Sequence, residues 1–266
     1  MSPSDPPAAD STAVPACYLG VWQRRALEQD GRLDTRSQVW WLQTACWHAD
    51  LRIPPDRPDF SGIGGLQDCD DDRLTWLVTQ QGFCGVTEVS GARCQWHRRV
   101  DFQPDSRRRD IGQMAFNGDR LIEVGAEADY LEVWQRLPGS QGDSAVLALS
   151  DAADWTPARP TWLLVAGPWF AYVRARAGVL PAAVSLAELI AARRPSRAQL
   201  IDWLDFEISL GRRDGARPWR IEHSTLPFRE GQLVFPAGPP QRAGPDSAVD
   251  GDGAHWDILE WNLDRL

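Results

Sequence analysis

The chain contains no lysine: all 28 of its basic residues are arginine, among 266 residues in total. A Schiff-base intermediate and a lysine general base are therefore excluded. Basic charge is also in short supply, with 28 arginines against 37 aspartates and glutamates, a net charge of −9. That balance argues against a nucleic-acid surface, which needs a basic face to release counterions, and against docking on anionic lipid. The five cysteines, Cys17, Cys46, Cys69, Cys84 and Cys94, include no Cys-x-x-Cys pair. Neither a zinc ribbon nor a thioredoxin-type site is signalled, and a reduced, cytoplasmic setting is the expectation. No run of about 18 apolar residues is long enough to span a bilayer. There is no phosphate-binding glycine loop, no Gly-x-Ser-x-Gly elbow and no His-Glu-x-x-His. Residues 1–16 have neither the basic start nor the apolar stretch of a signal peptide, and their Pro/Ala/Ser/Asp composition predicts a disordered leader.

What is present is tryptophan, with 14 copies against 2 methionines. Indoles suit strands and cores, but each brings an N–H that must find an acceptor. The pattern is that of short strands. Trp47-His-Ala-Asp-Leu-Arg-Ile53 alternates apolar and polar residues with period two, the signature of a strand with one apolar face. Further strands are predicted over 18–27, 36–44, 82–89, 92–102, 111–117, 121–125 and 130–137, with Asp30-Gly31, Ser90-Gly91 and Asn117-Gly118 as turns. After a linker at 138–142 the texture repeats, with strands over 145–149, 162–167, 169–176, 205–212, 219–224, 231–235 and 255–263. Helical periodicity falls at 70–81, opened by Asp70, Asp71 and Asp72, and at 185–203, where Ser185 and Ser196 are the expected caps. Residues 236–254 read as a mobile loop. These spacings predict a mainly β fold of antiparallel barrel type. Its units would be a leader (1–16), a first barrel (17–138) and a related second β unit (143–266), with short helical inserts.

Gly20-Val21-Trp22 on the first strand resembles the Gly-x-Trp that opens lipocalins and other calycins. In that family the Trp closes one barrel end and stacks under an Arg of the last strand; the resemblance implies Arg136 as that partner of Trp22. Tyr130-Leu-Glu-Val-Trp-Gln135, Ala166-Gly-Pro-Trp-Phe170 and His255-Trp-Asp-Ile-Leu-Glu-Trp261 resemble a narrower group. It is the two-part calycin-like family typified by a yeast protein that interacts with a casein-kinase-1 homologue. The likeness implies the fold; the family has no established activity to carry over.

The stretch richest in chemistry is Cys94-Gln-Trp-His-Arg-Arg-Val-Asp-Phe102. Together with His48, Asp50 and Arg52 it offers two strands that each carry a His, an Arg and an Asp. If their polar faces line a barrel cavity, Trp40 or Trp41, Trp47 and Trp96 become walls, and Arg52, His97 and Arg99 orient a guest. The expected function is binding of a small, partly apolar ligand, anionic or simply polar, in this Trp-lined cavity. An alternative is a cofactor-independent isomerase, cyclase or hydratase with His97 as acid/base and Asp50 or Asp101 as its orienter. A third is a protein-interaction module, with a protein partner or a second copy met through loops 54–69 and 236–254. No cofactor is signalled. Haem held by one of His48, His97, His223 and His255 is kept as an alternative, and no metal site is expected. Asp257 and Glu260 differ in strand parity and are expected on opposite faces.

Overall fold

The computed structural model describes residues 13–150, 159–214 and 218–263. The first twelve residues of the expected leader lie outside that range. Val14 already belongs to the fold: it is buried, and its N–H donates to Ala45 O at 2.8 Å.

Nine strands form the first sheet: β1 (Gly20–Gln29), β2 (Arg32–Asp34), β3 (Gln38–Gln43), β4 (Trp47–Ile53), β5 (Gln81–Ser90), β6 (Arg93–Asp101), β7 (Asp110–Asn117), β8 (Arg120–Gly125) and β9 (Tyr130–Arg136). Each neighbouring pair is antiparallel, and β1 also pairs with β9, so eight strands close into a barrel with β2 as a lip on β1. Local chemistry sets the turns. Asp30 and Gly31 both take positive φ, 51° and 70°, which a two-residue hairpin between right-twisted strands requires. The predicted strands are found within a few residues. The three-residue β2 was not foreseen, being too short to show a period.

The second sheet is open, in the order β14–β13–β12–β11–β10–β17–β16–β15. Its strands are β10 (Ser144–Leu149), β11 (Thr161–Ala166), β12 (Trp169–Arg174), β13 (Glu207–Arg212), β14 (Arg220–Ser224), β15 (Gln241–Arg242), β16 (Ser247–Val249) and β17 (His255–Asn262). The stretch expected as a strand at 231–235 makes a single bridge, Arg220 to Leu233. Its continuation crosses the seam, with Val234 N donating to Trp219 O and Gly251 N to Gly238 O, both within 3.0 Å. The loop expected at 236–254 contains β15 and β16. Among the described residues three α-helices join the sheets: α1 (Asp71–Val78), α2 (Leu186–Arg193) and α3 (Arg197–Leu204). Asp70, Ser185 and Ser196 cap them through side-chain oxygens that accept from backbone N–H groups three residues on, as their composition demanded.

Three apolar clusters follow from strand parity. The barrel interior holds Trp22, Trp41, Phe83, Trp96, Met114 and Trp134. The concave face of the second sheet holds Leu163, Phe170, Trp219, Ile221, Phe235 and Trp256. Between the two lies the largest cluster, where Trp40, Leu42, Ala49 and Leu51 of the barrel wall meet Val146, Leu164, Val173 and Ile208. The central strands are therefore buried on both faces. Gly82 is required at this contact, since a Cβ there would sit 2.8 Å from Asp50 O and 2.9 Å from Ile208 Cδ1. Polar bolts cross the same contact. Arg176 donates to the carbonyls of Asp101, Phe102 and Trp203, and Glu260 accepts from the N–H groups of Ala45 and Cys46.

Four bulged residues decide which side chains face where. Arg25, Arg99, Glu222 and Leu259 are each skipped in the ladder of their strand, and all four are exposed. An extra residue reverses parity beyond it.

Candidate functional site

An eight-stranded barrel has an interior just wide enough for its side chains to fill it, and here they do. At one end the Arg136 guanidinium lies 4.4 Å over the Trp22 ring, and Arg136 and Trp22 are directly paired across β9 and β1. Above this floor come Trp41, Trp96 and Trp134, with Trp41 edge-on to the other two at 5.7 and 6.1 Å. At the opposite end the lumen turns polar. A small hollow remains there, lined by Trp41, Asp50, Arg52, Phe83, Trp96, Asp110, Glu123 and Trp134. Its enclosed space holds about one water.

The charges around the hollow form linked pairs. Arg24 bridges Glu132 at 2.6 Å and Asp34 at 2.9 Å. Arg52 bridges Asp50 at 2.7 Å and Glu132 at 3.8 Å. Arg98, lying 3.7 Å over the Phe83 ring, bridges Asp101 at 2.6 Å and Asp110 at 2.5 Å. Glu123 differs from these acids. It takes its hydrogen bonds from neutral donors, Tyr130 Oη at 2.8 Å and Trp134 Nε1 at 3.1 Å. Burial, with Glu132 close by, pushes the Glu123 carboxyl well above the usual carboxylate range. Burial also holds Asp101 above its ordinary value, with Arg98 pulling the other way.

The predicted residues divide by parity. Asp50, Arg52, Trp41 and Trp96 do face the lumen. His97 and Arg99 do not: both are exposed on the outside of the barrel, and His97 Nε2 meets Glu88 at 3.0 Å. Trp96 and His97 are adjacent on a strand and cannot share a face; once the lumen claims the indole, the imidazole must point outward. The bulge at Arg99 then reverses parity, so Arg98 and Asp101 both reach the lumen side. Trp40 and Trp47 also leave the lumen. Trp40 stacks on His223 at 4.0 Å, and Trp47 packs beside Trp162 at 6.1 Å, both where the two sheets meet. The loop at 54–69 buries Phe60 and Leu66 in that same contact. His48, His97, His223 and His255 lie on β4, β6, β14 and β17 respectively. The expected opposition of Asp257 and Glu260 is also corrected. The bulge at Leu259 leaves them opposite Ala148 and Val146 of β10, two residues apart and so on one face, where Asp257 accepts from Ser150 and Glu260 caps the β3–β4 turn.

Arg24, Asp110, Glu123, Tyr130, Glu132 and Trp134 were not foreseen. The signal for most of them lay in the floor pair. With Trp22 and Arg136 inward, period two carries Arg24, Trp134, Glu132 and Tyr130 inward with them.

Among the described residues, no three His, Cys, Asp or Glu side chains converge as metal ligands, and no helix is long and apolar enough to cross a membrane. A second concavity, a wide groove open to solvent, lies at the seam of the second sheet between Trp219, Leu233 and Phe235; Arg220 alone is charged among its lining residues.

No known family's sequence profile matches the chain, and no curated protein matches it. Among solved structures, the crystal structure of an uncharacterized protein from Saccharomyces cerevisiae is similar, with a TM-score of 0.56 and 14% identity. The match covers 92% of this chain and 99% of that one. At that identity the likeness is one of fold: the chain shares its architecture with a β-barrel protein of unknown function.

Proposed function

We propose that the polar end of the barrel lumen binds a small cation, no larger than methylammonium. One observation carries this reading. Each of the three guanidinium groups there already bridges two carboxylates, and the acids Asp34, Asp50, Asp101, Asp110, Glu123 and Glu132 outnumber the arginines six to three. An anionic guest would find the arginines engaged and the surplus acids repelling it. A cation finds spare acceptors, and the faces of Trp41, Trp96 and Trp134 favour positive charge. Aromatic walls with a few convergent polar groups are the usual make of a small-molecule site. A calycin-like ancestry belongs to the same proposal; the Trp22–Arg136 stack at the closed end supports it.

The acid/base alternative loses its named base, because His97 lies outside the barrel. The binding reading is tested by following the indole N–H signals of Trp41, Trp96 and Trp134 by NMR, during titration with methylammonium, tetramethylammonium, acetate and propionate. Saturable shifts with methylammonium, led by Trp134, are expected. Shifts only with the carboxylates, or with none of the four, refute the reading.

A further inference from the structure

Outside the barrel, one guanidinium is set into an apolar groove with nothing to pair with. Arg220 is half-buried, and its side chain has no acceptor among the described residues. The other described arginines in that condition are all exposed. The ion pairs of Glu207 and Asp205 engage Arg159, Arg174 and Arg229 and leave Arg220 out. A cation held partly out of water without a counterion costs free energy, so its retention calls for an explanation.

The backbone holds the parts of the groove in place. Arg220 of β14 lies directly opposite Leu233 in an antiparallel bridge, which sets the two side chains next to each other. Gly231 lies against the guanidinium: a Cβ there would come within 3.2 Å of Arg220 Nη2. Trp219 takes φ 62°, a left-handed conformation that a bulky residue adopts only where its surroundings impose it. Its ring packs on Phe170 at 5.3 Å and edge-on to Phe235 at 5.5 Å, and its carbonyl accepts from Val234 N at 3.0 Å. Trp219 and Phe235 are therefore fixed, buried walls of the groove, with Pro218, Leu233 and Pro236 exposed around them. The groove holds about 590 Å³ and opens to solvent, a volume usual for small-molecule sites.

We infer that this groove binds a small organic monocarboxylate with a flat apolar body, its carboxylate on Arg220 and its body against Trp219, Phe235 and Leu233. The planar fork of a guanidinium matches the two oxygens of a carboxylate, and one positive group balances one negative charge. Among the described residues no acid lines the groove to attract a cation instead. The site is independent of the barrel lumen: it lies on the other sheet and has the opposite charge preference.

The test uses the full chain and benzoate, with benzylammonium as a similar body of opposite charge and acetate as the charge without the body. Benzoate should give a saturable shift of the Trp219 indole N–H signal at millimolar concentration, and the other two should bind at least about tenfold more weakly. Arg220→Met should weaken benzoate about tenfold or more, the worth of one charged hydrogen-bonding group. Arg120→Met, which removes an exposed arginine of β8, should leave benzoate within about twofold. Should Arg220→Met fail to fold, Leu233→Asp places a carboxylate beside Arg220 and should weaken benzoate to the same extent. Benzylammonium bound as tightly as benzoate, or benzoate affinity unchanged in either groove variant, overturns the inference, and so does the absence of a saturable Trp219 shift.

Discussion

On the second sheet, Glu207 is buried between Arg229 at 3.1 Å and Arg174 at 3.5 Å, while in the barrel Glu123 meets only a phenol and an indole. The surroundings repeat the contrast. Beside Glu207, Asp205 is held by Arg159 and Arg174, so three arginines face two acids. Around Glu123, six acids face three arginines. The two interiors are alike in aromatic content but opposite in charge balance. The second is neutralised by its own side chains and has no electrostatic reason to admit a guest. The first carries acids in excess of its cations, which destabilises a fold and is explained if a ligand relieves it. Buried charges are expensive unless paired, so the place where pairing fails is the place to look for a function.

The strongest way to break this comparison is to remove one arginine from each side. Arg24→Met leaves Glu132, nearly inaccessible at 3% exposure, facing Arg52 alone at 3.8 Å. A cost of about 3–5 kcal/mol is expected in urea unfolding. Arg174→Met leaves Glu207 its contact with Arg229 and Asp205 its contact with Arg159, and about 1–2 kcal/mol is expected. Equal losses would show that the two interiors balance charge alike.

A subtler probe is pH. A carboxyl whose value is raised by folding keeps a proton that the unfolded chain releases above about pH 4.3. From there upward Glu123 lowers stability, increasingly so until its folded value is passed; below that window it has no effect. Glu123→Gln removes the ionisable group and keeps an acceptor for Trp134 and a donor that the Tyr130 hydroxyl can take. The variant should match the unmodified protein near about pH 4 and unfold at higher urea near about pH 8. A destabilised variant at both pH values would mean that Glu123 is ionised and needed as an anion. The smallest effect belongs to the outer wall. His97→Ala should change unfolding free energy by less than about 0.5 kcal/mol and leave probe binding unaltered, since its pairing with Glu88 is solvent-exposed. A loss of binding would return His97 to the site.

Much of this architecture is legible in local chemistry. Paired positive-φ residues at Asp30 and Gly31 demand a hairpin. Asp70, Ser185 and Ser196 announce helices by capping them, and the alternation in 47–53 can only be a strand. The floor of the barrel, Trp22 under Arg136, was readable from a short motif. The orientation of β6 was not. Its stretch 94–102 is consistent with either face turned inward until one knows that Trp96 fills the lumen and that Arg99 is bulged. Both faces of β4 are buried, one by charged groups and one by a neighbouring sheet, so its polar side chains mark a barrel interior where alternation alone would predict solvent.

Composition and period two by themselves determined that this chain forms short antiparallel strands with capped helices and tryptophan-filled interiors, because turns, caps and alternation act over a few residues. Only the tertiary structure decided which face of each strand lies inside, that the second sheet covers the wall carrying Trp40 and Leu51, and that five acids bridge three arginines beside a sixth, Glu123, that pairs with none. Those outcomes depend on barrel closure and on single-residue bulges at Arg25, Arg99 and Leu259. Both involve strands distant in sequence, and one inserted residue reverses every side chain beyond it.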